Sequence, residues 1–160
     1  MRSLLSRLDR LLAPAPDPAR VGWLKDWTYA HRGLHGPGVV ENSPSAFRAA
    51  LAAGLGIECD IQRSRDGEAM VYHDWNFWRL HQHPQAGDTM DAADWRALRY
   101  ADSDEGPFAL SDLLALVAGR VPLLIEVKSR RGYDVERSCE KVLSALAGYA
   151  GRHAVMSFDP

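Results

Sequence analysis

Two periods of apolar residues alternate along this chain. Short apolar runs of strand length occur at Trp27 to Ala30, Leu55 to Ile61, Ala69 to Tyr72, Val121 to Val127 and His153 to Phe158. Helical stretches separate them. Pro44 to Ala53 is opened by Asn42 or Ser43 and stopped by Gly54, and Asp91 to Leu98, Ser111 to Val117 and Asp134 to Tyr149 follow. Strand-then-helix repetition predicts an α/β fold of parallel strands joined by crossovers. The second-to-third connection departs from that rule, because the turn at Asp66-Gly67 leaves no room for a helix. Trp75 to Met90, with Trp75, Phe77, Trp78, His81 and His83, reads as a long loop over a pocket.

Residues 1–20 form a separate unit from the main domain at 21–160. Leu4, Leu5, Leu8, Leu11 and Leu12 make the apolar stripe of an amphipathic helix over Arg2 to Leu12, with Arg2, Arg7 and Arg10 elsewhere on it. Packing against the main domain is the favoured reading of that stripe, and peripheral membrane contact the less favoured one. Pro14, Pro16 and Pro18 then end the helix and form a stiff connector.

Polar residues interrupt the strand pattern at particular places. His31-Arg32, Glu58-x-Asp60, His73-Asp74 and Glu126-x-Lys128 each close an apolar run. Parallel sheets bind ligands at the carboxyl ends of their strands, so these groups are expected to share one pocket. Glu58 and Asp60 are two apart and leave the same face of a strand. With Glu126 they form a set of carboxylates without thiolate or paired imidazole, which favours a hard divalent cation, Mg²⁺ or Ca²⁺. The competing reading is a salt-bridge network with Arg32 and Lys128. Those two residues could instead hold a phosphodiester. Charge then balances: three carboxylates and one phosphodiester oppose a divalent cation, Arg32 and Lys128.

His31 and His73 fit a general acid and base pair, since imidazole exchanges protons near neutral pH. His35, His81, His83 and His153 lack that setting and read as surface or loop residues. Asp74 either orients His73 or caps the loop. Glu41 and Asn42 either line the pocket or start the helix.

Bulk properties narrow the picture further. A chain of 160 residues fits one domain, and its 46% hydrophobic and 25% charged residues are ordinary for a globular protein. The net charge of −2 gives no reason to expect nucleic-acid binding, and no apolar run approaches membrane-spanning length. Cys59 and Cys139 do not make a disulfide framework, and Cys59 is expected to be buried opposite Glu58 and Asp60. Without a secretory signal, the expected compartment is the cytoplasm.

The ordered set Ala30-His31-Arg32-Gly33, Glu41-Asn42-Ser43, Glu58-Cys59-Asp60-Ile61, Asp66-Gly67, His73-Asp74 and Glu126-Val127-Lys128 resembles the glycerophosphodiester phosphodiesterase family. Ser157-Phe158 resembles its fifth-strand motif, so the likeness spans residues 27 to 160. It implies a TIM barrel of the phospholipase-C-like phosphodiesterase type. It also implies metal-dependent hydrolysis of a small glycerophosphodiester to an alcohol and glycerol 3-phosphate, through a cyclic phosphate. By resemblance, His31 and His73 are acid and base, Glu58, Asp60 and Glu126 bind the cation, and Arg32 and Lys128 contact phosphate. A lysophospholipase D-like action on lipids is the alternative activity. Two departures stand out. Ser43 replaces the family's threonine, and after His73-Asp74 the family's arginine-leucine pair persists as Arg79-Leu80 but His81-Gln82-His83-Pro84 replaces its threonine-glycine turn.

A TIM barrel typically takes about 250 residues and eight strands. About five parallel strands are expected here, leaving the barrel incomplete. A truncated or split product is then expected, either unstable or self-associating through open sheet edges. A fragment that binds metal and phosphodiester without turnover is the corresponding non-enzymatic reading.

Overall fold

The computed structural model describes residues 16–158. The expected leucine-striped helix at Arg2 to Leu12 lies outside them, as does Pro14. Pro18 departs from the expected stiff connector and opens a helical turn, Pro18–Val21, where its fixed φ suits the first position.

The main elements follow the predicted strand-and-helix alternation only in part. They are β1 (Tyr29–Ala30), α1 (Pro44–Ala52), β2 (Gly56–Arg63), β3 (Ala69–Val71), β4 (Asn76–Phe77), β5 (His83–Ala86), α2 (Ala92–Ala97), β6 (Phe108–Ala109), α3 (Leu110–Val117), β7 (Leu123–Val127), α4 (Val135–Leu146) and β8 (His153–Met156). Strand β2 is the axis of the sheet and is buried throughout. It pairs in parallel with β1 and β7, and β7 pairs in parallel with β8.

Five parallel strands were expected, but among the described residues only β1, β2, β7 and β8 are parallel. Strand β3 runs antiparallel to β2, with Ile61 opposite Val71, and β6 runs antiparallel to β3. A parallel return needs a crossover of a dozen or more residues, and the turn at Ser64–Glu68 is a tight reversal. Gly67 N–H donates to the Ser64 carbonyl at 3.1 Å and Ser64 N–H to the Glu68 carbonyl at 3.0 Å. Strands β1 and β8 end the parallel set, so the barrel is not closed.

Side chains alternate across the sheet, and the two faces differ in character. Ile57, Cys59 and Ile61 of β2, with Leu123, Ile125 and Val127 of β7, pack into one apolar layer against the helices. Phe47 and Ala50 of α1, Leu110, Leu113, Leu114 and Val117 of α3, and Val142 and Leu146 of α4 supply the other side. Cys59 is fully buried there, as expected, and both cysteines are free thiols. Period-two alternation sends Glu58, Asp60, Gln62 and Glu126 to the opposite face.

The segment 75–90 is not the loose loop that its composition suggests. Strands β4 and β5 pair around a helical turn, Trp78–His81, and Gln82 makes the reversal at a left-handed φ of 52°. Phe77 is drawn into a second core, whereas Trp78 stays exposed and Trp75 meets Tyr133 edge-on. Phe77 meets Trp95 edge-on with ring centroids 4.6 Å apart, and Tyr72 lies 5.0 Å from Phe77. His81, expected at the surface or in a loop, stacks on Tyr100 at 4.9 Å, and burial lowers its basicity.

Gly87 is needed where the Trp95 indole docks. The indole N–H donates to the Gly87 carbonyl at 2.9 Å, and a β-carbon at position 87 would lie 2.3 Å from the ring. Gly87→Ala should therefore destabilise the domain by about 1–3 kcal/mol, the usual range for overpacking. A chemical-denaturation midpoint equal to that of the wild type would contradict this. Among the described residues, no helix is long and apolar enough to cross a membrane.

Candidate active site

The parallel register of β2 and β7 builds the centre of the site. Asp60 is the direct partner of Glu126, and Glu58 lies two residues earlier on the same face. Carboxylate oxygens of Glu58, Asp60 and Glu126 all lie within 4.8 Å of one another, and all three residues are buried. The expectation that Glu58 and Asp60 close their strand is corrected. They lie in its middle, because the β2–β3 hairpin carries β2 on to Arg63.

Other predicted residues converge on this cluster. Lys128 extends the β7 ladder, donating its N–H to the Ile61 carbonyl at 3.0 Å. Its Nζ lies 2.9 Å from Glu126 Oε1 and 3.4 Å from Asp60 Oδ1. Arg32 follows β1 at a left-handed φ of 56°. Its Nε is 3.2 Å from Asp60 Oδ2 and its Nη1 3.0 Å from Glu41 Oε1. The bend is completed by Gly33, at φ 79°, where a β-carbon would sit 2.8 Å from that of Ala46.

Of Glu41, Asn42 and Ser43, it is Ser43 that starts the helix. Ser43 caps α1, its Oγ accepting from Ala46 N–H at 3.1 Å. Asn42 is buried beside the carboxylates and donates Nδ2–H to Asp60 Oδ2 at 2.9 Å. Glu41 accepts from Arg32 and Arg79. Burial raises the pKa of Glu41, but these two guanidiniums outweigh it and hold the carboxyl below its ordinary range.

The two histidines are held differently. His73 Nδ1 lies 2.7 Å from Asp74 Oδ1, so Asp74 orients the ring. Arg79 grips the same carboxylate, and burial of Asp74 is outweighed by the bonds from Arg79 and His73, which lower its pKa. His31 stands at the rim with 69% of its side chain exposed, its Nε2 3.9 Å from Glu58 Oε2.

Salt bridges of Arg32 and Lys128 do form as the competing reading expects, but these leave Glu58 out. Among the described residues, no Lys or Arg side chain pairs with it. Its Oε2 accepts the Arg32 backbone N–H at 2.9 Å, and its buried Oε1 has no hydrogen-bond partner. Burial first, then the charges of Asp60 and Glu126, push its pKa up to about 7, against the Arg32 N–H. A buried carboxylate oxygen without a partner, within reach of two more carboxylates, suits a hard divalent cation.

Two residues take parts in the site that the sequence did not assign to them. Gln62 continues the Glu58, Asp60 series by one more step of two, a signal that alternation alone could have supplied. Its Nε2 donates to the His73 carbonyl at 3.0 Å, tying β2 to the histidine loop. Arg79 joins Asp74 to Glu41 from a helical turn that the sequence disguised as loop.

The chain is also similar to known proteins. Residues 31–154 match the model of the "Glycerophosphoryl diester phosphodiesterase family". A curated relative, "Probable glycerophosphodiester phosphodiesterase 2" of Mycobacterium tuberculosis (strain ATCC 25618 / H37Rv), is 36% identical over 104 residues, covering 62% of this chain and 38% of the relative. The solved glycerophosphodiester phosphodiesterase of Thermotoga maritima superposes with a TM-score of 0.70 at 25% identity, covering 82% of this chain and 54% of that one. An Oleispira antarctica phosphodiesterase, solved with the product sn-glycerol-3-phosphate, superposes with a TM-score of 0.75 at 19% identity, over 83% of this chain and 57% of its own. This chain thus spans about half the length, or less, of these relatives. The family match runs from the first site histidine to the last parallel strand and takes in the whole carboxylate cluster, so the chain belongs to the glycerophosphoryl diester phosphodiesterase family.

Proposed function

We propose that this domain carries the acid-base, metal and phosphate-binding residues of a glycerophosphodiesterase, which releases an alcohol and glycerol 3-phosphate. The observation that carries the proposal is the Glu58, Asp60 and Glu126 cluster with its unpartnered Glu58 oxygen. These residues would hold Mg²⁺ or Ca²⁺. A bound divalent cation supplies Lewis acidity, lowering the pKa of a coordinated hydroxyl and offsetting charge on phosphate.

The chain's own residues do the remaining work. Lys128 and Arg32 neutralise phosphate oxygens beside the cluster, released from part of their contact with Asp60 and Glu126. His73 uses Nδ1 to hold Asp74, which leaves Nε2 as its nitrogen for proton transfer. His31 and His73 divide the two proton steps, one taking a proton from the attacking hydroxyl and the other giving one to the leaving alkoxide. The likeness to a phosphodiesterase solved with sn-glycerol-3-phosphate supports the choice of product.

The test is hydrolysis of glycerophosphocholine with Mg²⁺ or Ca²⁺, reading glycerol 3-phosphate release. The 160-residue chain is compared with one extended to full barrel length. Release by both assigns the activity to this chain, and release by the extended chain alone assigns it to the closed barrel. No release from any glycerophosphodiester by either protein would overturn the proposal.

A further inference from the structure

Arg79 has no part in the proton, metal or phosphate roles above, yet it connects both halves of the site. Its Nε donates to Asp74 Oδ2 at 2.6 Å and its Nη2 to Asp74 Oδ1 at 3.0 Å, so both oxygens of one carboxylate are held. The same guanidinium reaches Glu41 Oε1 at 2.6 Å and Oε2 at 3.1 Å. Glu41 then meets Arg32, Arg32 meets Asp60, and Asp60 meets Lys128. An unbroken line of alternating charge runs from His73 to the carboxylate cluster.

We propose that Arg79 is a positioning residue: by fixing both oxygens of Asp74 it aims Oδ1 at His73 Nδ1 and so keeps His73 Nε2 as the nitrogen that faces the reaction. The proposal rests on the reading of His73 as an acid-base residue. Without Arg79, the Asp74 carboxylate is free to rotate. Ligand atoms of Glu41, His73 and Asp74 lie within 4.8 Å of one another, so the two carboxylates would also repel. A planar guanidinium suits this task because its fork fixes direction as well as charge. Its platform is firm. The turn that carries it is anchored on one side by the fully buried Phe77, and on the other by His81 stacked on Tyr100.

Side-chain ¹⁵N NMR of the full 160-residue chain tests this without requiring turnover. At a pH where the ring is neutral, the wild type should show His73 protonated on Nδ1 and bare on Nε2. Arg79→Ala should give a mixture of tautomers, and Arg79→Lys an intermediate pattern, since an ammonium keeps the charge but loses the fork. Arg65→Ala, which breaks the exposed pair with Asp91, is the control and should leave His73 unchanged. In an active full-length barrel, Arg79→Ala should lower kcat about tenfold to a hundredfold while moving KM far less.

A His73 tautomer unaltered in Arg79→Ala overturns the proposal. If that variant does not fold, an unaltered tautomer in Arg79→Lys does so. A tautomer shift in proteins that hydrolyse no diester would uphold the positioning role and remove the hydrolytic one.

Discussion

Glu58→Gln is expected to weaken divalent-cation binding by roughly two orders of magnitude, the scale on which ligand charge tunes such sites. The metal-free domain should nevertheless be at least as stable as the wild type. These two results together separate a metal centre from a structural salt-bridge network. In the structure Glu58 is buried without a Lys or Arg partner, and burial with the nearby Asp60 and Glu126 raises its pKa to about 7. A neutral amide of the same shape removes that conflict and still accepts the Arg32 N–H. In a salt-bridge network the same change would delete a favourable pair and lower the melting temperature.

The raised pKa fixes the direction of the pH dependence. Folding favours the neutral form, so the contribution of Glu58 to stability is fully present below the ordinary value of 4.5 and is lost as pH climbs through about 7. Cation binding needs the carboxylate, so affinity should fall as pH drops below about 7, with proton release on binding. Calorimetric titration with Mg²⁺ and Ca²⁺ at several pH values, with melting curves in chelator, reads both effects. Unchanged affinity in Glu58→Gln with a clearly lowered melting temperature would defeat the metal assignment.

His73→Ala and His31→Ala should each lower turnover by at least about a hundredfold in an active barrel, the usual scale for a positioned general acid or base. Their supports differ, and that difference is measurable. His73 is tied to Asp74 and has 29% of its side chain exposed, whereas His31 has 69% exposed. Added imidazole should therefore restore activity to His31→Ala more readily than to His73→Ala. Turnover at the wild-type level in either variant would refute the role given to that histidine.

Most of the carboxylate site was legible because its logic is local. Glu58 and Asp60 share a face by counting in twos, and the Glu126-x-Lys128 spacing repeats the argument on β7. The direct Asp60 to Glu126 pairing was not legible, since register between strands depends on how α3 and the preceding segments pack. The helix over Pro44 to Ala53 was read almost to its ends, because Ser43 carries a local start signal and Gly54 a stop signal. Strand direction was harder. The apolar run at Ala69 to Val71 looks the same parallel or antiparallel, and only the brevity of the Asp66-Gly67 turn decides. The role of Arg79 was not legible for a different reason. Its partners, Glu41 and Asp74, come together only after Phe77 and Trp95 fold the intervening segment into the second core.

Strand β2 divides its labour by parity. Odd positions 57, 59 and 61 serve the fold, and even positions 58, 60 and 62 face the chemistry. Substitutions in this strand can thus affect the core and the chemistry separately, and a lineage could vary one set while conserving the other. Single-codon insertions or deletions have no such freedom. One step of slippage would send Glu58 and Asp60 into the apolar layer and turn Ile57 and Cys59 toward the proposed cation site, losing the fold and the proposed activity together. In a deep mutational scan, replacements at odd positions of this strand should lower abundance, replacements at even positions should lower activity, and changes in its length should lower both.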